Sequence, residues 1–374
     1  MIVVVGLATR AIGHSALRAG YPVHTVDYFG DLDQKRLVPN VSLRRDLGIP
    51  FRVDALVQAA REIPADSVVY TAPLENHPEA VAELSADRRL LGNPPEVLVR
   101  VRHPHLLGRV LTSAGFRVPR LRDPGDGAPG AGRWLCKPVR SGGGHGIRPW
   151  DGGPTPPGYV VQEFVSGRPA SALFLASEGE ARLLAVTAQL IGLPSFGASG
   201  FRYCGNVLPL PCDDRVLREI HRLVQVLSEA FSLRGANGVD FLLTPQGPVV
   251  LEVNPRYTAA MELVECASGS SVFDLHVRAC LGTLPEVAPV RVGTWGKAIL
   301  YARRALRLPD TRPWLAQGVC DVPFPGDEVR EGHPICTLVA WGSSQDDCYL
   351  RLLEKATALE SQIYAQDPSA GPSA

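Results

Sequence analysis

The N-terminal part of the chain alternates β-branched runs with stretches of helical spacing. Residues 2–5, Ile-Val-Val-Val, form an apolar run closed by Gly6. Residues 9–19 repeat apolar positions at helical intervals and stop at Gly20. Residues 23–26 form a second run, closed by Asp27. Strand, helix and strand in that order predict a parallel sheet with ligands at the carboxyl ends of its strands. Residues 67–71 supply a later strand of the same sheet. The first strand runs into Gly-Leu-Ala-Thr-Arg and not into GxGxxG, so a standard dinucleotide site is not expected.

The composition changes at Gly92-Asn93-Pro94-Pro95, which marks a boundary. Beyond it, residues 97–114 read as one helix and the Pro/Gly-rich residues 123–132 as a surface loop. Strands follow at 134–138, 147–150 and 159–164, with a second Pro/Gly loop at 152–158. Residues 216–231 form an amphipathic helix. Two apolar strands joined by Pro245-Gln246-Gly247 come next, then helices to Leu281. A third segment begins beyond Pro289; its residues 321–327 and 332–340 read as hairpin strands, and a helix runs to about Tyr364. Residues 365–374 are polar and small, and are expected to be disordered.

Charge and composition narrow the function. Lys plus Arg number 38 and so do Asp plus Glu, so the formal net charge is zero and no nucleic-acid partner is expected. No apolar stretch approaches the length of a membrane span, and the chain opens on a strand, not on a signal peptide. The 8 cysteines form no CxxC pair and no zinc spacing, which predicts a reduced cytoplasmic protein with free thiols. Lysine occurs only at Lys35, Lys137, Lys297 and Lys355; every other basic residue is arginine. A lysine that survives such a bias is a candidate for chemistry that needs a compact point charge, although a structural pairing is the expectation for Lys297.

Three stretches carry that chemistry. Along the strand ending Leu-Glu252-Val-Asn254-Pro-Arg256, a period of two points Glu252, Asn254 and Arg256 to one face, and Asp240 joins them from the neighbouring strand. Hard oxygens so placed suit Mg²⁺, which takes one or two carboxylates and fills its other positions with water and phosphate oxygens. Lys137 ends the strand before Ser141-Gly142-Gly143-Gly144-His145-Gly146, whose glycines let backbone amides approach an anion. A strand, not a helix, follows the glycines, so the expectation is a hairpin folding over a triphosphate and not a Walker loop. Gln162-Glu163-Phe164-Val165 ends an apolar strand and can hold adenine through a carboxylate or carbonyl, a backbone amide and an apolar face.

In this order, lysine strand, glycine hairpin, hinge, long insertion and Asp…Glu-x-Asn-x-Arg, the chain resembles the ATP-grasp superfamily of ATP-dependent ligases over residues 100–280. The resemblance implies an α/β chain, α+β in its ATP-binding part. A Rossmann-like pre-ATP-grasp domain (1–95) would precede the ATP-grasp domain (96–288) and a small β-rich C-terminal segment (289–364). It implies ATP and Mg²⁺, with Mn²⁺ as the alternative metal. Lys137 and residues Ser141 to Gly146 would hold phosphates, Gln162 to Val165 adenine, and Asp240, Glu252 and Asn254 the metal. Arg256, with Lys137 and Arg202, would stabilise the transferring group, and Glu75, Asn76 and Arg202 would meet substrate. The family pattern departs at two places. The acid that usually binds ribose is replaced by Ala170, and an earlier nucleotide lysine is missing, leaving Arg100, Arg102 or His103 to replace it.

The Phe29-Gly30-Asp31-Leu32-Asp33 and Phe201-Arg202-Tyr203-Cys204-Gly205-Asn206 stretches are similar to a subgroup of carboligases related to biotin carboxylase. Some relatives occur alongside genes for one-carbon cofactors of the methanofuran and tetrahydromethanopterin type, and one of this general kind joins glutamate to tyramine. The resemblance thus implies a carboxylate and an amine as small-molecule substrates. Dimers are frequent among relatives, which leaves a homodimer open. Two other readings stay open on the residues alone. One is a bicarbonate-activating carboxylase, although the chain has no Met-Lys-Met biotinyl site. The other is a non-catalytic nucleotide-binding subunit, which the missing ribose acid favours and Arg256 disfavours.

Overall fold

The computed structural model describes residues 1–122, 132–288 and 292–365. The expected loop at 123–132, the Pro289 boundary and the tail fall wholly or largely outside that range.

The N-terminal strands β1 (Ile2–Val5), β2 (Val23–Asp27), β3 (Asn40–Ser42), β4 (Ser67–Tyr70) and β5 (Arg89–Leu90) form a parallel sheet in the order β3-β2-β1-β4-β5. Val3, Val4 and Val5 have no exposed surface, as expected for a parallel strand covered on both faces. At roughly 1.5–3 kcal/mol for each fully buried aliphatic side chain, such runs supply much of this sheet's stability. All strands end at one edge. Gly6 is required there because a Cβ would come within 2.3 Å of Thr71 Cγ2 on the neighbouring strand.

A small sheet follows: β6 (Leu121–Arg122), β7 (Trp134–Pro138), β8 (Arg148–Pro149) and β9 (Tyr159–Glu163), in the order β6-β9-β7-β8. The large sheet contains β10 (Arg168–Ser177), β11 (Glu180–Ile191), β12 (Tyr203–Leu208), β13 (Gly235–Thr244) and β14 (Gly247–Asn254). A helix, Asp214–Phe231, covers its far face. The helix starts where Asp213 Oδ1 accepts from Val216 N at 2.7 Å, and it buries Val216, Ile220, Leu223, Val224, Leu227 and Phe231, a single apolar stripe.

Three expectations change. The helix expected at 97–114 is two helices, Pro95–Val101 and Pro104–Ser113, because Pro104 cannot continue the first and starts the second. The C-terminal segment does not stand apart. Its strands β15 (Thr294–Tyr301) and β18 (Pro334–Gly342) extend the large sheet to seven strands, in the order β14-β13-β10-β11-β12-β15-β18. Residues 321–327 form a loop, not a strand. The short ribbon of β16 (Leu306–Arg307) and β17 (Glu328–Val329) flanks it, and the final helix is Gln345–Ala365.

Polar contacts fix the carboxyl edge of the first sheet against the end of β14. Tyr70 Oη donates to Asn93 O at 2.8 Å and lies 3.2 Å from Pro255 O, and Thr71 Oγ1 donates to Tyr257 O at 3.3 Å. Farther along the edge, Arg10 is 3% exposed. Its guanidinium is bidentate to Asp321 at 2.9 and 3.2 Å and also grips Glu262. One buried cation thus joins all three parts of the chain. Removing a buried partner strands the charges it balanced. Arg10→Ala is therefore expected to lower the unfolding free energy by about 3–5 kcal/mol, read from urea denaturation, whereas neutralising the exposed Arg52 should leave the midpoint in place.

Candidate active site

Register, not proximity in sequence, assembles the polar face of the large sheet. Asp240 on β13 lies opposite Glu252 on β14 and opposite Ser171 on β10; Ser171 lies opposite Thr187, Gln189 opposite Asn206, and Asn206 opposite Lys297. These residues form a polar row across the sheet. A β-bulge after Asp240 adds Leu251 to β14. Phe241 and Val250 can then both stay in the core while Leu251 and Glu252 both border the cleft.

Each acid is held. Asp240 accepts from Gln189 Nε2 and from Asn254 Nδ2, both at 2.9 Å. Glu252 Oε2 lies 2.9 Å from Lys137 Nζ and 3.8 Å from Arg102 Nη1. Burial pushes the Asp240 carboxyl up, and the Glu252 charge adds to the push, to about 6. Burial acts on Glu252 in the same sense, but Lys137 and Arg102 outweigh it and hold it at about 2. One acid is strongly ionised and the other is poised to exchange its proton for a cation.

The cations come from three places. Lys137 lies on β7. Arg102 occupies the corner between the two helices split by Pro104, where it also donates to Val253 O at 3.0 Å and to Ser141 O at 3.1 Å. Arg256 follows β14, with Nη2 3.3 Å from Asn254 Oδ1. Behind them stands the 3₁₀ turn Leu74–Asn76 of the N-terminal sheet. Glu75, 1% exposed, places Oε1 2.7 Å from Arg256 Nε as an ion pair, though the N–H is not aimed along that line. Asn76 Oδ1 accepts from Arg102 Nη2 at 2.8 Å. Glu75 and Asn76, expected to meet substrate, here steady the two arginines.

The cleft between the small and large sheets runs away from the acids. One cavity is bordered by Lys137, Val160, Gln162, Leu251 and Glu252. A second, of about 480 Å³, is walled by Trp134, Leu135, Trp150, Phe164 and Phe201. Gln162 faces this cleft beside Lys137. The Glu163 carboxylate faces Arg120, at 3.1 Å to both Nε and Nη2, so Gln162 rather than the Glu163 side chain is offered to a base. Val165 continues the hinge beyond β9, and the Phe164 amide is taken by Arg133 O at 2.8 Å. Alternation along β9 is the signal that separates Gln162 from its neighbour.

The glycine hairpin is folded down. Gly143 O accepts from Tyr203 N at 3.0 Å, and Ser141 Oγ donates to His145 O at 2.8 Å. Gly144 has φ +76°, and a Cβ there would sit 1.8 Å from Phe201 O, so only glycine permits this approach. Gly142 and Gly146 complete the turn. His145 is held below its ordinary pKa by burial and by nearby Arg202. Arg202 itself is not brought to the acids: it donates to Gly332 O and stacks over Tyr301, 5.1 Å from its centroid. Of the alternatives for the missing lysine, Arg102 reaches the site. Arg100 donates to Ala230 O at 2.9 Å, and His103 Nδ1 caps the next helix by accepting from Leu106 N.

Among the described residues no group of three or more His, Cys, Asp or Glu converges on a point. The donor set is two carboxylates and an amide, Asp240, Glu252 and Asn254. All are hard oxygen donors, which fits a Mg²⁺ ion that also takes phosphate oxygens.

Comparison with known proteins bears on the fold. Residues 105–260 match the family model described as ATP-grasp domain. An uncharacterized protein of Methanocaldococcus jannaschii is 20% identical over 368 residues, covering 90% of this chain and 87% of that one. The L-amino acid ligase of Bacillus licheniformis superposes with a TM-score of 0.68 at 16% identity, covering 97% of each chain. The biotin carboxylase of Campylobacter jejuni, crystallised with an ATP analogue, superposes with a TM-score of 0.71 at 14% identity, covering 97% of this chain and 91% of that one. At such identities the superpositions establish the fold alone, an ATP-grasp fold whose matched domain spans residues 105–260.

Proposed function

We propose that the chain joins a carboxylate to an amine through an acyl phosphate, at the expense of ATP. The observation that carries this reading is the ring of Lys137, Arg102 and Arg256 around the Asp240–Glu252 pair at the foot of a cleft that can take a nucleotide. The base lies along Gln162, Leu135 and Phe164, and the phosphates lie toward Lys137 under the glycine hairpin. Asp240, Glu252 and Asn254 would hold Mg²⁺, which would supply positive charge to the terminal phosphates.

A substrate carboxylate oxygen attacks the γ-phosphorus; an O–P bond forms and the bond to the ADP oxygen breaks. Lys137 and Arg256 neutralise the charge that spreads over the transferring group. The amine nitrogen then attacks the acyl carbon, the C–O bond to phosphate breaks, and phosphate leaves with that electron pair and takes up the proton that the nitrogen loses. Arg256 holds the tetrahedral oxyanion. The hairpin, seated on Phe201 and Tyr203, keeps water from the acyl phosphate. The likeness to an L-amino acid ligase supports amide formation, and the resemblance to carboligases found beside one-carbon cofactor genes favours a role in building such a cofactor.

Four outcomes are expected. In a screen of phosphate release from Mg·ATP, carboxylate–amine pairs beginning with glutamate and aromatic amines should give turnover that needs both partners. Glu252→Gln should lower it about 10²- to 10³-fold, and release driven by bicarbonate alone would sink the ligase reading. Glu75→Gln, which loosens Arg256, should lower kcat about 10- to 100-fold while nucleotide affinity holds; equal loss of both would count against a positioning role. Because Asp240 must shed a proton to take a cation, Mg²⁺ affinity should rise about tenfold per pH unit below pH 6 and level off above it. Calorimetry with Mg²⁺ and an ATP analogue between pH 5 and 8 measures this, and a flat profile would contradict the assignment.

A further inference from the structure

Along the carboxyl edge of the N-terminal sheet, away from Arg256, a second charged centre is left out of the reaction just described. Asp27, Asp31, Asp33, Asp321 and Glu262 gather around Arg10 and Lys297. Most of them are satisfied. Asp27 accepts from Thr9 Oγ1 at 2.7 Å and from Gly30 N at 3.0 Å. Asp33 accepts from the amides of Asp321 and Val322, each at 3.0 Å. Glu262 takes Arg10 and also Lys297 Nζ, the latter at 2.7 Å. Asp321 takes the Arg10 fork.

Asp31 is different. It is 7% exposed, and its carboxylate has no hydrogen-bond or ion-pair partner among the described residues. It stands at the start of the short helix Leu32–Lys35 without capping it. Burial, and then the charges of Asp321, Asp27 and Asp33, push its carboxyl well above the usual range, with only Arg10 opposing. Near Arg10, Glu262 and Asp321, His14 is held near pKa 4 by burial and by Arg10, and leaves Nε2 without a partner. A buried carboxylate with no partner is costly unless something cationic joins it.

The centre lies where ligands bind in open parallel sheets, outside the carboxyl ends of β1 and β2 beside the point where strand order reverses. Asp321 is 26% exposed, so the centre is not sealed. The acids do not converge as a metal site requires. A compact donor cation such as a primary ammonium needs no such convergence and can give three hydrogen bonds.

We propose that Asp31, flanked by Asp33 and Asp321, seats a primary ammonium group of a small-molecule substrate. Lys297, which pairs with Glu262 here, is four strand spacings from Asp240 across the sheet, roughly 19 Å at about 4.8 Å each. The seated ammonium is therefore the far end of its molecule and not the nitrogen that is acylated. Resting on the ligase reading, this makes one of the two substrates an elongated molecule with a terminal amino group that stays charged.

The test uses the full chain with 1,5-diaminopentane as the probe and tetramethylammonium chloride and KCl as controls. Calorimetry and thermal melting are run at pH 8, with an ATP analogue titrated into the same samples. The diamine should bind and raise Tm, tetramethylammonium, which has no N–H to donate, should not, and Asp31→Asn should weaken diamine binding at least tenfold with nucleotide affinity unchanged. Without ligand, Asp31→Asn should melt no lower than the natural chain, since it removes an unpartnered buried acid. Asp33→Asn is the second variant, expected to weaken the diamine in the same direction. Equal diamine binding in natural and substituted chains, binding of KCl but not of the diamine, no binding of any of the three, or a lower Tm for Asp31→Asn would overturn the proposal. Binding does not depend on turnover. Asp31-dependent binding without any carboxylate–amine turnover would leave the seat standing and remove the ligase reading alone.

Discussion

Two carboxylates placed opposite each other on adjacent strands repel, and the structure around Asp240 and Glu252 is organised by the need to compensate them. Lys137 arrives from the small sheet, Arg102 from the corner of two helices, and Arg256 from the end of the same strand as Glu252. Each arrival adds a polar link between parts of the chain, and the N-terminal sheet and the large sheet also share an apolar core. Lys137 ties the small sheet to the large one, while Arg102 and Arg256 tie the N-terminal turn at Glu75 and Asn76 to both. The compensation of two acids thereby adds charged contacts to the apolar packing that joins the sheets. The charges of this site thus hold one another in place.

Much of this was legible in the residues. The period of two along β14 was enough to put Glu252, Asn254 and Arg256 together, and a hairpin partner brought Asp240 to them. Lys137 stood out because lysine is scarce in this chain. Other features follow from contacts that a linear pattern does not encode. Glu163 reads as the polar end of a strand, yet Arg120, distant in sequence but paired with it through β6 and β9, takes its carboxylate. Glu75 was noticed, but its role as a support for Arg256 depends on a contact between residues 181 positions apart, which no local pattern carries.

The fold shows the same division. Short buried strands and amphipathic helices announce themselves by periodicity, and Pro104 had the power to split a helix that otherwise looked continuous. The C-terminal strands looked like a separate unit because a long helical stretch and a Pro-rich connection precede them. Their pairing with β12 was invisible, since β12 is short and its Gly205 and Asn206 do not read as the middle of a sheet. The same polar residues make sense once the row from Glu252 to Lys297 is seen: a sheet that carries ligands on one face cannot present an unbroken apolar pattern there.

That shared sheet limits how this protein can be divided by evolution or by engineering. β15 and β18 close one flank of the layer whose opposite flank bears Glu252, so the last part of the chain is not a detachable appendage. Cutting it away would bare the backbone of β12 as a raw edge, ready to recruit a strand from any other molecule. Domain exchanges therefore have little room between the strands that bear Asp240 and Glu252 and the final helix.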